Sequence, residues 1–287
     1  MPELPEVEII KQSLKKTIKF DKILKVKVHN KNLRFKLNKN FENTLKNKKI
    51  TNISRYAKYL IIELNNREYL IFHFGMSGTL HLKKNSNIKR TNLSFYNSQN
   101  LPCKHNHVEL IFKNFKIIYN DPRRFGYITL LKSKRELRSF FSKMGLEPLD
   151  IKFNIIYLKK KLFNRNKNIK NILLDQKIIS GIGNIYASEI LFHSRLNPLK
   201  KGKKIKTNEL KLLVKFSKRV LRNAISKGGS SIRDFKNTDG SSGLFQNEFK
   251  VYNKENFICP NYKCKFKIIK INISNRSSFY CLNCQKK

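Results

Sequence analysis

The sequence predicts an α+β chain in three parts: a β-rich N-terminal region, a helical middle and a short cysteine-stapled hairpin at the end. Three observations predict it. Up to about residue 132, apolar residues alternate with polar ones in short runs separated by turn residues, the pattern of strands. Beyond that point they recur at helical spacing. Four of the five cysteines then crowd into the closing segment as Cys259-x4-Cys264-x16-Cys281-x2-Cys284.

Taken in order, a helix follows Glu6, with Val7, Ile10, Leu14 and Ile18 on one face and Pro5 near its start, where a missing N–H costs little. Leu24, Val26 and Val28 alternate with Lys25 and Lys27, and Leu33, Phe35 and Leu37 alternate with Arg34 and Lys36. Further strands are expected at 59–64, 69–74, 107–112, 115–119 and 127–131. Such a series suggests an antiparallel sandwich or barrel and not repeated βαβ units. Residues 83–104 are polar and aperiodic and read as a surface loop. A helix is expected over 137–144, stopped by Gly145 with Pro148 beyond it. An apolar helix is expected over 169–179, broken by Ser180-Gly181-Ile182-Gly183-Asn184, and another over 185–193. A third runs from 208 to 227, with Leu210, Leu213, Val214, Val220, Leu221 and Ala224 on one face and Gly228-Gly229 as its stop. Residues 230–243 are rich in Ser, Gly, Asn and Asp and read as a loop or linker.

The 287 residues carry 62 Lys+Arg against 19 Asp+Glu, a formal net charge of +43, which is not the balance of an ordinary neutral metabolic enzyme. The 40% hydrophobic content, with 21 Phe and 11 Tyr, excludes a disordered basic tail. A charge of this size calls for an anionic partner, nucleic acid first and an anionic membrane surface second. The Lys-, Asn- and Ile-rich composition is also what AT-rich coding produces, so no single lysine marks a site by charge alone. No apolar run has the length of a membrane span. Met1-Pro2-Glu3-Leu4-Pro5-Glu6 lacks the basic-then-apolar order of a signal peptide, so a soluble intracellular protein is expected. In that setting clustered cysteines point to metal chemistry and not to disulfides.

Two cysteine pairs separated by about 15–20 residues are the spacing of a tetrahedral zinc site built on two turns. Four thiolates would close the site, making it structural. The hairpin-like stretch 268–279 lies between the pairs and carries Arg276, which taken alone is only another solvated cation. At the other terminus, Pro at position 2 is small enough for Met1 to be removed, which exposes a secondary amine. An α-amino group has a pKa of about 8 against about 10.4 for Lys, so a useful fraction is nucleophilic at neutral pH. Attack on a sugar C1′ would give an iminium, an electron sink for elimination, with Glu3 beside it as acid/base. The plainer reading of Pro2-Glu3 is helix capping.

Together these residues resemble a known family. Met1-Pro2-Glu3-Leu4-Pro5-Glu6-Val7-Glu8, Arg55-Tyr56-Ala57-Lys58-Tyr59-Leu60, His73-Phe74-Gly75-Met76-Ser77-Gly78, His105-Asn106-His107-Val108 and Asp121-Pro122-Arg123-Arg124-Phe125-Gly126 are similar to segments of the bacterial formamidopyrimidine-DNA glycosylases. So are Leu174-Asp175-Gln176, the run Gly181 through Glu189, Gly228-Gly229-Ser230-Ser231 and Arg276-Ser277-Ser278-Phe279-Tyr280-Cys281. The resemblance runs in order over nearly the whole chain.

It implies an N-terminal antiparallel β-sandwich with flanking helices over 1–132, a linker over 133–150 and a helix-two-turn-helix DNA-binding domain over 151–227. A lesion-capping loop over 228–250 and a β-hairpin zinc finger over 251–287 complete the chain. The implied activity is excision of oxidised purines, chiefly 8-oxoguanine and ring-opened formamidopyrimidines, from duplex DNA, followed by β,δ-elimination. Pro2 would be the Schiff-base nucleophile and Glu3 the general acid/base. Lys58 and Arg276 would assist elimination, and Glu189 would orient the N-terminal amine. The nucleotide must be flipped out of the duplex. Met76, Arg123 and Phe125 would fill the void, and the turns that carry them favour exposure over core packing. Phosphates would be held by Lys58, His105, Arg123, Lys170 and Asn184. Asn166 stands where the family often has Lys, with Arg165 or Lys167 as substitutes. Ser230, Ser231 and Arg233 would touch the lesion. One Zn2+ on Cys259, Cys264, Cys281 and Cys284, no small-molecule cofactor, damaged double-stranded DNA as partner, no membrane, a monomeric state and a cytoplasmic, nucleoid-associated bacterial setting follow from the resemblance. The four-residue spacing in the first cysteine pair departs from the usual two. The nearest rivals are the sister enzymes for oxidised pyrimidines and a non-catalytic basic zinc protein that coats nucleic acid.

Overall fold

A computed structural model describes residues 2–84, 104–230 and 243–286. It divides into two compact units, Met1–Ser142 with Lys227–Gln246, and Lys143–Ser226 with Asn247–Lys287. Residues 85–103, Cys103 among them, and Ser231 and Arg233 lie outside the described residues.

The first unit opens with α1 (Leu4–Ile18) and continues through β1 (Lys25–Val28), α2 (Phe41–Leu45), β2 (Ile50–Tyr56), β3 (Tyr59–Leu64), β4 (Tyr69–His73), β5 (Thr79–Lys84), β6 (Asn106–Ile111), β7 (Phe115–Asn120), β8 (Tyr127–Leu131) and α3 (Lys134–Phe141). The strands form two four-stranded antiparallel sheets, β1-β6-β7-β5 and β2-β3-β4-β8. Alternation decides which side chains meet. Leu60, Ile62, Leu64, Leu70 and Phe72 of one sheet share a core with Val26, Leu80, Leu82, Val108, Leu110 and Ile117 of the other. Val7, Ile10, Leu14 and Ile18 of α1 join that core, each side chain contributing about 1.5–3 kcal/mol by leaving water. The opposite face of the second sheet places Ile61, Tyr69 and Ile71 against Leu137, Phe140 and Phe141 of α3, so both faces of β3 and β4 are covered.

Two expectations need correction. Residues 33–37 do not form a strand. An isolated bridge between Asn32 and Lys36 folds the segment on itself. Leu33 and Leu37 then fill the core, while Phe35 turns outward with its ring edge-on to Tyr127, centroids 4.8 Å apart. The helix expected over 169–179 stops at Leu174. Asp175 is extended (φ −78°, ψ 103°), and its carbonyl accepts the amides of Ile178 and Ile179, which folds residues 175–179 into a turn. The strands β2 and β5, the helix α2 and a helix over Ile155–Leu162 lie outside the elements expected from the sequence.

The second unit comprises α4 (Ile155–Leu162), α5 (Ile169–Leu174), α6 (Asn184–His193), α7 (Thr207–Ser226), and the antiparallel hairpin of β9 (Ile268–Ile273) and β10 (Arg276–Cys281). Every residue of α6 from Ile185 to Phe192 is buried, so it is the unit's central helix. The turn between α5 and α6 is braced by Gln176. Its Nε2 donates to Ile182 O (2.9 Å) and its Oε1 accepts from Gly181 N (2.9 Å). No described helix is long and apolar enough to cross a membrane.

Candidate active site and nucleic-acid interface

The start of α1 is a small buried polar assembly. Pro2, Glu3 and Glu6 are all buried, Glu3 at 1% exposure. Glu3 is the N-cap, and it forms a capping box with Glu6, whose Oε2 accepts from Glu3 N at 3.0 Å. This is favourable placement for carboxylates, because the first-turn amides are unpaired and the helix dipole is positive there. Glu6 Oε1 accepts both Ser230 N (2.9 Å) and Ser230 Oγ (3.0 Å). Ser230, expected at the lesion, is thus tied to the N-terminal helix just before the undescribed residues begin.

Lys58 lies in the two-residue turn between β2 and β3 and is 8% exposed. His73 lies against rings. It stacks on Tyr127 (5.4 Å, 24°) and tilts on Tyr59 (4.8 Å). Burial, with the nearby charges of Lys58 and Arg34, pushes its pKa down to about 4, so it is neutral at pH 7.

Met76 and Phe125 are 46% and 43% exposed. They stand on neighbouring turns, and the Arg123 guanidinium lies over the Phe125 ring at 4.8 Å. Backbone contact forces the turns together. Gly75 has φ +58°, and a Cβ there would lie 2.3 Å from the Phe125 carbonyl carbon. Asp121 was missed as an organising residue by sequence reasoning. It is fully buried, taking Ser77 Oγ on Oδ1 (2.5 Å) and Gly126 N (2.8 Å) and Tyr119 OH (3.3 Å) on Oδ2. Ser77 Oγ accepts Arg123 N in turn at 3.2 Å. The only sequence signal was Asp121's place in the Asp-Pro-Arg-Arg-Phe-Gly segment. His105 is exposed at the root of β6, with φ +67°, and its carbonyl accepts Asp121 N.

In the second unit, Asn184 opens α6 and Arg276 is exposed where β10 begins. The hairpin turn Ser274-Asn275 has both residues left-handed (φ +48° and +59°), the two-residue turn that matches strand twist. Lys170 is among the residues expected to hold a phosphate. It is fully buried, and its Nζ donates to Ser277 O (2.9 Å) and Ser278 Oγ (2.5 Å). Asn184 Nδ2 donates to the same Ser277 carbonyl at 2.9 Å, and Asn171 Nδ2 reaches Ser274 Oγ. These side chains fasten the hairpin tip that carries Arg276 to the turn-and-helix pair beneath it. Asn166 and Lys167 are exposed, and Arg165 is half-buried with Nε on Lys161 O. Glu189 is the residue expected to orient the N-terminal amine. Its buried carboxylate accepts the amides of Lys250, Val251 and Tyr252 at 2.8–3.0 Å. Burial raises its pKa, and these three N–H groups oppose the rise.

The cysteines converge. The four Sγ atoms of Cys259, Cys264, Cys281 and Cys284 lie within 4.8 Å of one another and form a set that could hold a metal ion. The long first spacing is absorbed by a turn in which Lys263 is left-handed (φ +61°) and Cys264 N meets Asn261 O. Asn283 Nδ2 donates to Cys264 Sγ, which helps hold that thiol down at about 6, while burial pushes Cys259 and Cys281 up. Buried Gln285 locks the module, with Nε2 on Leu196 O (2.8 Å) and Oε1 accepting Cys281 N.

This arrangement has counterparts. Residues 1–128 match the profile of the formamidopyrimidine-DNA glycosylase N-terminal domain, and residues 144–236 match that family's H2TH domain. A formamidopyrimidine-DNA glycosylase of Rickettsia bellii is 42% identical over 287 residues, covering all of both chains. Two crystal structures of the Lactococcus lactis enzyme superpose over the full length of both chains, each at 32% identity with a TM-score of 0.87. One is a point mutant in complex with DNA containing Fapy-dG, and the other is a complex with DNA containing an abasic site. On sequence and fold together, the chain belongs to the formamidopyrimidine-DNA glycosylase family.

Proposed function

We propose that this protein is a bifunctional DNA glycosylase and AP lyase that removes oxidised purines, 8-oxoguanine and formamidopyrimidines, from duplex DNA. The observation that carries the reading is the buried Pro2-Glu3 pair at the head of α1, with the Glu3 amide held by Glu6, in a chain of this family. With Met1 removed, the Pro2 nitrogen attacks C1′ of an everted nucleotide and the bond to the base breaks, the base leaving with a proton. Opening of the sugar ring leaves an iminium on C1′. Loss of a C2′ proton then expels the 3′ phosphate, and a second elimination expels the 5′ phosphate. Glu3 moves protons at the sugar. Lys58 serves elimination and holds a flanking phosphate, and Arg276 serves the second elimination. Met76, Arg123 and Phe125 occupy the vacated stack, with Arg123 facing the orphaned cytosine, and their exposure supports this role. His105, Asn184 and Asn166 meet phosphates, and the first amides of α6 suit an anion.

The metal is Zn2+. A tetrahedron with Zn–S bonds of about 2.3 Å has sulfur–sulfur edges of about 3.8 Å. Cys259–Cys284 and Cys264–Cys281 stand at 3.8 and 3.7 Å. When bound, zinc supplies structure and no chemistry, since four protein ligands close the site. The protein works as a monomer on the bacterial nucleoid and needs no small-molecule cofactor.

Borohydride trapping tests the reading. The Met1-processed protein is expected to become covalently linked to a duplex with 8-oxoguanine opposite cytosine through Pro2, and Pro2→Gly is expected to lose the adduct. Equal trapping by Pro2→Gly would remove the nucleophile assignment. Faster cleavage of a thymine-glycol duplex would move the protein to the pyrimidine-excising sister group. No trapping by a metal-loaded sample would leave a binder only.

A further inference from the structure

Lys58 is held by a turn that is strained by its own sequence. Ala57, the first residue of that two-residue hairpin, has φ +51°, a left-handed conformation that glycine or asparagine adopts more readily than alanine. Its neighbour Arg55 has a side chain only 8% exposed. Arg55 Nη1 donates to Ala57 O at 3.1 Å, and Arg55 Nε donates to Glu8 Oε2 at 2.8 Å. The gripped carbonyl belongs to the peptide bond that joins Ala57 to Lys58. Glu8 lies on α1, five residues after Glu3, and is itself fixed. Its Oε1 engages Lys11 Nζ at 2.5 Å and Gln12 Nε2 at 3.1 Å. Burial would raise the Glu8 pKa, but the bonds from Lys11 and Arg55 outweigh it and hold the carboxylate ionised. A continuous path therefore runs from the helix headed by Pro2 and Glu3, through two charge-assisted bonds, to the peptide plane that carries Lys58.

We infer that Arg55, anchored by Glu8, is a positioning residue that sets Lys58 relative to the head of α1 for strand cleavage. The inference rests on the proposed role of Lys58. The residue type matters: a planar guanidinium directs donors to the carboxylate and the carbonyl at once, whereas an ammonium on a flexible stem does not hold both in fixed directions.

The test is a double-mutant cycle between Arg55→Lys and Lys58→Ala, with Glu8→Gln as a second break in the same path. Single-turnover cleavage of a preformed abasic site is measured beside DNA affinity and thermal midpoint. Arg55→Lys is expected to slow single-turnover cleavage at least tenfold while DNA affinity changes less than threefold, a loss in the cleavage step and not in binding. Glu8→Gln is expected to do the same more weakly. In the Lys58→Ala background, Arg55→Lys is expected to have no further effect, because the group it positions is gone. Cleavage by Arg55→Lys at the parental rate would overturn the inference and leave the Lys58 reading standing. So would an equal slowing by Arg55→Lys with and without Lys58, which is what a merely structural brace gives. Parental activity in Lys58→Ala would sink both.

Discussion

Asp121 holds together the two turns that present Met76, Arg123 and Phe125, and its replacements should not be equivalent. Asp121→Ala removes the acceptor from three donors, Ser77 Oγ, Gly126 N and Tyr119 OH, in a fully buried place. A hydrogen bond to a charged group is worth about 1.5–3 kcal/mol and a stranded buried donor costs about 1–3, so the expected loss is about 4–6 kcal/mol. Asp121→Asn keeps more. Its amide oxygen can stay on Gly126 and Tyr119, and its NH2 then faces Ser77. The hydroxyl has two acceptor lone pairs, one already used by Arg123 N, so it rotates and accepts with the other. Only the assistance of the charge is lost, about 1–2 kcal/mol. At roughly 2–4 °C per kcal/mol, the alanine variant melts about 10 °C or more below the parent and the asparagine variant only a few degrees below. The assay pairs thermal unfolding with cleavage of 8-oxoguanine opposite cytosine and opposite adenine. The alanine variant is expected to lose discrimination by about tenfold, equivalent to 1.4 kcal/mol, and the asparagine variant to retain it. Equal damage from the two substitutions would refute the hydroxyl-rotation reasoning. Full stability and discrimination in Asp121→Ala would refute the view that this carboxylate sets the turns.

Three other outcomes are expected. Chelation should unfold the cysteine hairpin and abolish strand cleavage, with recovery on adding one equivalent of zinc. Affinity should weaken as pH falls, because burial makes Cys259 and Cys281 hold their protons against the metal; metal analysis and a competition titration at two pH values check both points. Burial pushes the His81 pKa down to about 4, and its Nε2 shares a hydrogen bond with Thr79 Oγ1 at 2.9 Å. The unfolded chain binds that proton from about pH 6.5 downward, so the contribution is full above 6.5 and up to about 3 kcal/mol is lost on acidification toward 4. Urea unfolding at pH 7.5 and 5 should show the loss, and a His81→Asn variant should show a shallower dependence.

Much of this was legible in the chain. The strands at 59–64 and 127–131 and the long helix α7 follow from hydrophobic period, because burial imposes that period directly. The β2 strand did not show, since its apolar residues are interspersed with Asn, Ser and Arg and only Ile50 and Ile53 are buried. Residues 33–37 misled for the opposite reason. They alternate, but the bridge from Asn32 to Lys36 makes Leu33 and Leu37, four apart, the packing pair. At the site, the clustering of the cysteines and the exposure of Met76 and Phe125 could be read from motif and turn context. The surroundings of Lys170 could not: nothing local announces that its Nζ lies buried under a hairpin tip more than a hundred residues later. Asp121 has two partners close by in the chain, Tyr119 and Gly126, but its tie to Ser77, 44 residues away, has no local signal.

The carboxylate at position 6 serves two masters, the amide of Glu3 and the root of the segment that begins at Ser230. A change there moves two variables together, so a rate lost in a Glu6 variant reports on neither alone. Ser230→Ala separates them, because it deletes a single hydroxyl bond and leaves the link to Glu3 in place. The same sharing couples two stretches of the chain 224 residues apart: whatever shifts the opening turn of α1 shifts the acceptor on which Ser230 rests.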